Sequence, residues 1–198
     1  MKKLLTFLFA FLFVLSASAQ EQEGRFSVTP RIGAAFSSIT NRPVTYMVGQ
    51  IDYTSDPGTK VGLVVGADLG YQATDHLNVS AGLAYAMMGC DQSDVPVLQN
   101  LNVALDYLQL PVMLHYTLAD GLSVGAGIQP AYLLHAAHVS KCKDFSCSIP
   151  VGVAYEYKRF VIDARYQFEL TKLYDKTDGT ADTKNNAITV TLGYRFNL

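Results

Sequence analysis

The residues of this sequence that are able to act as nucleophiles, general bases or metal ligands are few and scattered. Hydrolytic chemistry would need a histidine that meets a serine and a carboxylate at one place in the fold. None of the histidines can be assigned such a partner at catalytic spacing; they are His76, His115, His135 and His138. We therefore predict no catalytic residues and expect that the protein is not an enzyme.

One short segment brings histidine and cysteine close together along the chain. His135 and His138 precede Cys142 and Cys147, but their spacing matches no zinc-binding pattern. In an exported protein, Cys142 and Cys147 could close a small disulfide loop that does not involve Cys90. That no disulfide forms is the alternative, and it stays open. The glycines alternate along strands instead of forming a phosphate-binding loop, so we predict neither a metal nor a cofactor.

A third set of chemically active residues consists of charged side chains at mid-strand positions. These are Arg31, Asp68, Glu156, Asp163, Arg165, Glu169 and Arg195. Arginines and carboxylates that share a face away from bulk water must largely neutralise one another to offset their desolvation. The sequence therefore predicts an interior charge network. By register, Glu156 and Asp163 are the expected partners of Arg165, with Glu169 farther along the strand.

The elements that must position these residues are β-strands. Large apolar residues alternate with glycine and other small or polar residues throughout residues 60–72, and residues 77–88 repeat the pattern. A period of two indicates a strand with two different faces. Only Thr74, Asp75 and His76 separate the two strands, so we expect a hairpin.

The same pattern predicts six further strands, which gives eight, an even number as in closed bacterial barrels. They lie at about 26–36, 105–118, 122–134, 147–157, 160–171 and 186–197. Tight turns alternate with long connections at 37–59, 90–104, 135–146 and 172–185. We therefore predict an all-β fold, an eight-stranded antiparallel transmembrane β-barrel with short periplasmic turns and longer extracellular loops.

The two faces of the predicted strands favour a barrel that lies in a membrane. Lysines fall in loops or at strand ends, and the second face is mostly Gly, Ala, Ser and Thr, which suit a cramped interior. Aromatic residues on the apolar face form one group near the tight turns and another near the long connections, as at membrane interfaces. The alternative is a soluble sheet, but its solvent face would carry many more charged residues.

The first residues have the layout of a secretory signal. Lys2 and Lys3 precede an apolar run at residues 4–15, and Ala17-Ser18-Ala19 supplies a cleavage site. We predict that residues 1–19 are a signal peptide and that residues 20–198 form the barrel domain. The formal net charge is −2, and no basic tract is present, so we predict no nucleic-acid partner.

The segment Tyr107-Leu-Gln-Leu-Pro111 resembles a middle strand of the PorT-like outer-membrane β-barrel family, which is common in Bacteroidetes. Segments in matching order are residues 125–132, 151–157, 163–166 and 192–196. The resemblance implies a porin-family or outer-membrane barrel protein without a defined substrate or catalytic residues. The closing aromatic strand resembles the signal read by the barrel assembly machinery, although Asn197 and Leu198 follow Phe196.

Together these observations predict a non-catalytic protein of the bacterial outer membrane. Its partners would be the outer-membrane lipid, the barrel assembly machinery and an unknown extracellular ligand or protein bound by the loops. Paired charges that fill a narrow bore favour a closed interior. Two alternatives stay open: a narrow porin-like channel for small solutes, and an accessory role in protein secretion that only the family name suggests.

The predicted signal peptide has a direct test. We expect the mature protein isolated from membranes to begin at or near Gln20, because Ala17-Ser18-Ala19 presents small residues to the signal peptidase. N-terminal sequencing or intact-mass spectrometry measures this. A membrane-bound chain that still begins at Met1 would contradict the prediction.

Overall fold

In a computed structural model of the protein, the chain is described at residues 25–40, 44–48, 51–55, 58–91, 103–137, 143–172 and 184–198. The predicted signal peptide, residues 1–19, lies outside the described residues. In the part of the chain that the structure describes, no helix is long and apolar enough to cross a membrane.

Eight antiparallel strands, numbered in chain order, form a closed barrel. They are β1 Phe26–Thr40, β2 Gly58–Gln72, β3 Leu77–Asp91, β4 Val103–Gln109 with Val112–Ala119, β5 Leu122–Ala137, β6 Phe145–Tyr157, β7 Phe160–Glu169, and β8 Lys184–Tyr194 with Phe196–Asn197. Each strand pairs with its neighbours in the chain, and β8 pairs with β1 from Thr40↔Lys184 to Arg31↔Gly193. This last pairing leaves no free edge, so the predicted eight-stranded barrel is confirmed.

The fourth strand differs from the prediction because it is interrupted at Leu110 and Pro111. Proline has no N–H to donate to a neighbouring strand. The carbonyl of Pro111 still accepts a hydrogen bond from the N–H of Gly82, and the N–H of Leu110 donates to the carbonyl of Pro130. The two halves of β4 therefore continue one another between the same neighbours.

The two ends of the barrel differ in their connections. At one end the turns are tight, and Lys158 and Arg159 both have positive φ, as the twist of a two-residue hairpin requires. At the other end several strands run farther than predicted: β1 reaches Thr40, and β5 reaches Ala137. The first long connection contains an antiparallel hairpin of its own, Val44–Val48 with Ile51–Ser55.

The outer face of the barrel is apolar around its circumference. Outward residues such as Ile32, Leu69 and Ile162 are more than half exposed. Near the tight turns, the rings of Phe26 and Tyr71 lie 5.0 Å apart, centroid to centroid. An exposed apolar surface of this extent needs an apolar environment around it.

The interior toward the long-loop end is mainly apolar, although Ser37 and Asn185 are also buried there. The side chains that fill it, here called the apolar plug, are Ala35, Ile39, Val64, Ala84, Ala86, Met88, Cys90, Leu105, Tyr107, Ala131, Leu133 and Ala187. The sequence pattern predicted small residues on this face, and Leu105 and Tyr107 are large. The bore in this half is therefore packed like a protein core.

The difference between the two ends gives a topological prediction. We expect a cysteine introduced at Asp178, outside the described residues, to react with an impermeant maleimide on intact cells, and a cysteine at Asp75 in a tight turn not to react. The chain without an introduced cysteine measures the background from its own thiols. Both variants should react after lysis, and the reverse pattern on intact cells would mean that the orientation is inverted.

Candidate functional site

Four charged residues meet at mid-depth in the bore and are here called the ion cluster. Arg31 Nε lies 3.0 Å from Asp68 Oδ2, and Arg165 Nη2 lies 3.2 Å from the same oxygen. Arg165 Nε lies 2.6 Å from Asp163 Oδ1. All four residues are buried. The expected partner Asp163 is present, but Asp68 reaches Arg165 from across the bore and Glu156 does not contact it.

The ion cluster is held by charge more than by aligned hydrogen bonds. Arg165 Nη2 donates a directed hydrogen bond to Asp68 Oδ2. The Nε atoms of Arg31 and Arg165 lie close to carboxylate oxygens, yet their N–H groups do not point at an acceptor among the described residues. Coulomb attraction does not depend on that alignment, so the short distances matter more here than the missing hydrogen bonds.

Glycines on neighbouring strands make room for the ion cluster. The cross-strand pairs are Arg31 with Gly66 and Gly193, Asp68 with Gly82, and Arg165 with Gly152. A Cβ on Gly82 would overlap the carboxylate of Asp68, and a Cβ on Gly152 would lie 2.9 Å from Cγ of Arg165. The small residues that the sequence places on this face therefore serve as space for large charged ones.

The other predicted charges lie apart from the ion cluster. Arg195 Nη1 lies 2.6 Å from Glu156 Oε2 near the tight-turn end, and both side chains are about 30% exposed; we call them the mouth pair. Glu169 lies toward the long-loop end, where its Oε1 accepts hydrogen bonds from the backbone N–H groups of Cys147 and Thr171. The seven residues thus occupy three levels of the barrel.

A cavity of 380 Å³, here called the chamber, extends from the ion cluster to the tight-turn end. Asp75 and Gly121, in two of the tight turns, belong to its lining. On its wall, the ring Nε2 of His115 lies 3.1 Å from Oγ of Ser80. The sequence pattern did not predict this pair, because Ser80 and His115 lie diagonally across two adjacent strands and not directly opposite each other.

The remaining histidines and cysteines do not assemble a site in the part of the chain that the structure describes. His76 stacks on Tyr116 with ring centroids 6.1 Å apart, and the side chain of His135 is exposed. No group of three metal-ligating side chains occurs among residues 25–40, 58–91, 103–137, 143–172 and 184–198. His138 lies outside the described residues.

The proposed disulfide also reaches beyond the described residues. Cys147 is present as a free thiol, and Cys142 lies outside the described part of the chain. The bridge between them stays a prediction.

Comparison with known proteins places this geometry among bacterial barrels. The model of a family described as the outer membrane protein beta-barrel domain matches residues 5–196. No curated protein matches the chain.

Several solved structures are similar to the chain over most of its length. Ail of Yersinia pestis is 20% identical, with 88% of this chain and 100% of Ail covered and a TM-score of 0.47. The Neisserial surface protein A is 14% identical, with coverages of 89% and 100% and a TM-score of 0.50. OprG of Pseudomonas aeruginosa is 12% identical, with coverages of 89% and 98% and a TM-score of 0.47. At these identities the likeness concerns the fold alone.

The ion cluster predicts a large effect of removing one carboxylate. We expect Asp68→Asn to lower the free energy of unfolding by roughly 3 to 5 kcal/mol, because two buried arginines would then share only Asp163. Urea titration in detergent micelles, followed by the gel shift between folded and unfolded barrel, measures the change. The matched control is Asp75→Asn in an exposed turn, with an expected change within about 0.5 kcal/mol. Equal stability of the two variants would contradict the prediction.

Proposed function

Since the chain belongs to the family of outer membrane protein β-barrel domains and lies in the bacterial outer membrane, we propose that it is a non-conducting, non-catalytic barrel whose extracellular loops bind a ligand or partner protein. The observation that carries this proposal is the apolar plug, which closes the bore toward the long-loop end. A barrel that lets no solute pass through it must act at its ends or through its outer surface.

Two barriers in series support a closed interior. The apolar plug fills the half of the bore toward the long-loop end, where Ile39 and Leu105 are at most 1% exposed. Beneath it, Gln109 and Gln167 form a hydrogen bond across the bore, and the ion cluster lies below them. An ion would have to lose its hydration to pass the apolar plug, at a cost of many kcal/mol.

The connections at the long-loop end support a binding role. The hairpin formed by Val44–Val48 and Ile51–Ser55 gives the first of them its own backbone pairing. Loops on a rigid barrel are suited to recognition, because the scaffold fixes their ends. We propose that the loops at 37–59, 90–104 and 172–185 provide the binding surface.

The surroundings of His115 support a non-catalytic barrel. In a catalytic triad, a carboxylate orients the histidine through Nδ1. Here Nδ1 of His115 packs so closely against Gly125 that a Cβ on that glycine would lie 2.6 Å away. In the described part of the chain, His115 hydrogen-bonds Ser80 through Nε2, and no carboxylate hydrogen-bonds its Nδ1.

The finer family placement is also part of this proposal. The segment around Tyr107 and Pro111 favours the PorT-like, porin-family branch found in Bacteroidetes. We further propose that residues 1–19 are removed as a signal peptide, that residues 20–198 form the mature barrel domain, and that the barrel assembly machinery inserts it. An accessory role in secretion has only the family name in its favour.

A narrow porin-like channel is the second candidate, and the chamber is the observation that favours it. The chamber already hollows the half of the bore near the tight turns. A channel would require both the apolar plug and the ion cluster beneath it to open.

Conductance in planar bilayers distinguishes the two candidates. We expect no steady conductance from the wild-type barrel, and none from Arg165→Ala, because the apolar plug above that arginine stays in place. The triple variant Leu105→Ser, Tyr107→Ser, Arg165→Ala should conduct, since it opens both barriers: it replaces two large plug side chains with small polar ones and removes the arginine that spans the bore. Steady wild-type conductance would favour the porin-like channel and overturn the closed barrel.

A further inference from the structure

The chamber is not used by the function proposed above, and its construction is that of a binding site. We propose that it binds a small, net-neutral, polyhydroxylated solute of about monosaccharide size from the periplasm. The apolar plug and the ion cluster close its far end, so the tight-turn end is its entrance. A cavity of 380 Å³ holds about a dozen water molecules, or a ligand with a similar number of heavy atoms.

The walls of the chamber present hydrogen-bonding groups from several strands. They include Thr29 of β1, Asn78 and Ser80 of β3, Ser123 of β5 and Thr191 of β8. Among the lining residues, the aromatic rings of Phe, Tyr and Trp are absent, and the apolar side chains are limited to Ala154 and Val161. Such walls suit a ligand with hydroxyl groups on several sides and offer little to a flat apolar one.

Two buried groups near the far end of the chamber lack hydrogen-bond partners in the described part of the chain. They are Oδ1 of Asp68 and Oγ1 of Thr191, in residues only 8% and 2% exposed. A buried polar atom without a partner is costly, and a ligand that satisfies it gains that energy. Both residues line the chamber, but the two atoms themselves are sealed from it, so the side chains must rotate toward the chamber to meet a ligand. A ligand hydroxyl can then donate to Asp68, and a second can donate to or accept from Thr191.

The charge balance of the chamber selects a neutral ligand. In the ion cluster, two arginines face two carboxylates, and the mouth pair joins Arg195 to Glu156. These groups already neutralise one another, so a charged solute would lose hydration without gaining a counter-ion. Asp75 is exposed in its turn, where salt screens its charge.

The test measures D-glucose binding to the folded mature barrel in detergent micelles by saturation-transfer NMR. A ligand of about a dozen heavy atoms that gains roughly 0.3 kcal/mol of binding free energy per atom has a Kd on the order of 1 mM. We expect Thr117→Tyr, on the chamber wall, to abolish binding. The matched control Leu118→Tyr places the same side chain on the outer face, where Leu118 is 57% exposed, and should bind as wild type does.

A second variant keeps the test decisive if Thr117→Tyr misfolds. Thr191→Val conserves the side-chain shape but removes the buried hydroxyl, and should weaken glucose binding about fivefold. The proposal is overturned if wild type shows no glucose signal, if neither chamber variant changes it, or if ethanolamine or acetate binds more tightly than glucose. Conductance is measured separately, so a barrel that conducts but binds glucose would sink only the closed-barrel function.

Discussion

The limited interior volume of a closed eight-stranded barrel is the constraint on which the rest of this structure depends. Pairing of β8 with β1 fixes the circumference, and every inward side chain must then share one narrow bore with those of seven other strands. The protein meets this constraint in two ways. Toward the tight turns, several large charged side chains stand opposite glycine, as Asp68 does opposite Gly82 and Arg165 opposite Gly152. Toward the long loops, aliphatic and aromatic side chains fill the bore completely.

The sequence was sufficient to predict the barrel because strand signals are local. Alternation with period two identified all eight strands, and the tight turns fixed their pairing, since each turn joins neighbours in both chain and space. The predicted strand boundaries were wrong where the alternating pattern continues but a residue cannot take part in strand pairing. Pro111 interrupts the ladder within β4. Some strands extend into the predicted long connections, because pairing continues until the partner strand ends, as at Thr40 opposite Lys184.

The interior was harder to predict, since its contacts cross the bore. Register relates a residue only to adjacent strands, so it suggested Glu156 for Arg165. Asp68 lies on β2 and Arg165 on β7, and only the closed curvature of the barrel brings them together. The contact between Ser80 and His115 joins adjacent strands diagonally, which requires the register of β4 on β3. The sequence pattern alone does not define that register.

The position of the ion cluster follows from the two environments on either side of it. A buried ion pair contributes little net stability, because desolvation offsets most of the Coulomb attraction. The apolar plug shows that this bore can be filled with apolar side chains, so packing alone does not require charges. The ion cluster, however, forms the surface that the chamber presents to water entering from the tight-turn end. An apolar surface at this depth would be unfavourable, because it would face water. Arg31 and Asp68 instead recover part of the hydration energy that they lose on burial, because they face the chamber. The ion cluster therefore lies at the boundary between the chamber and the apolar plug.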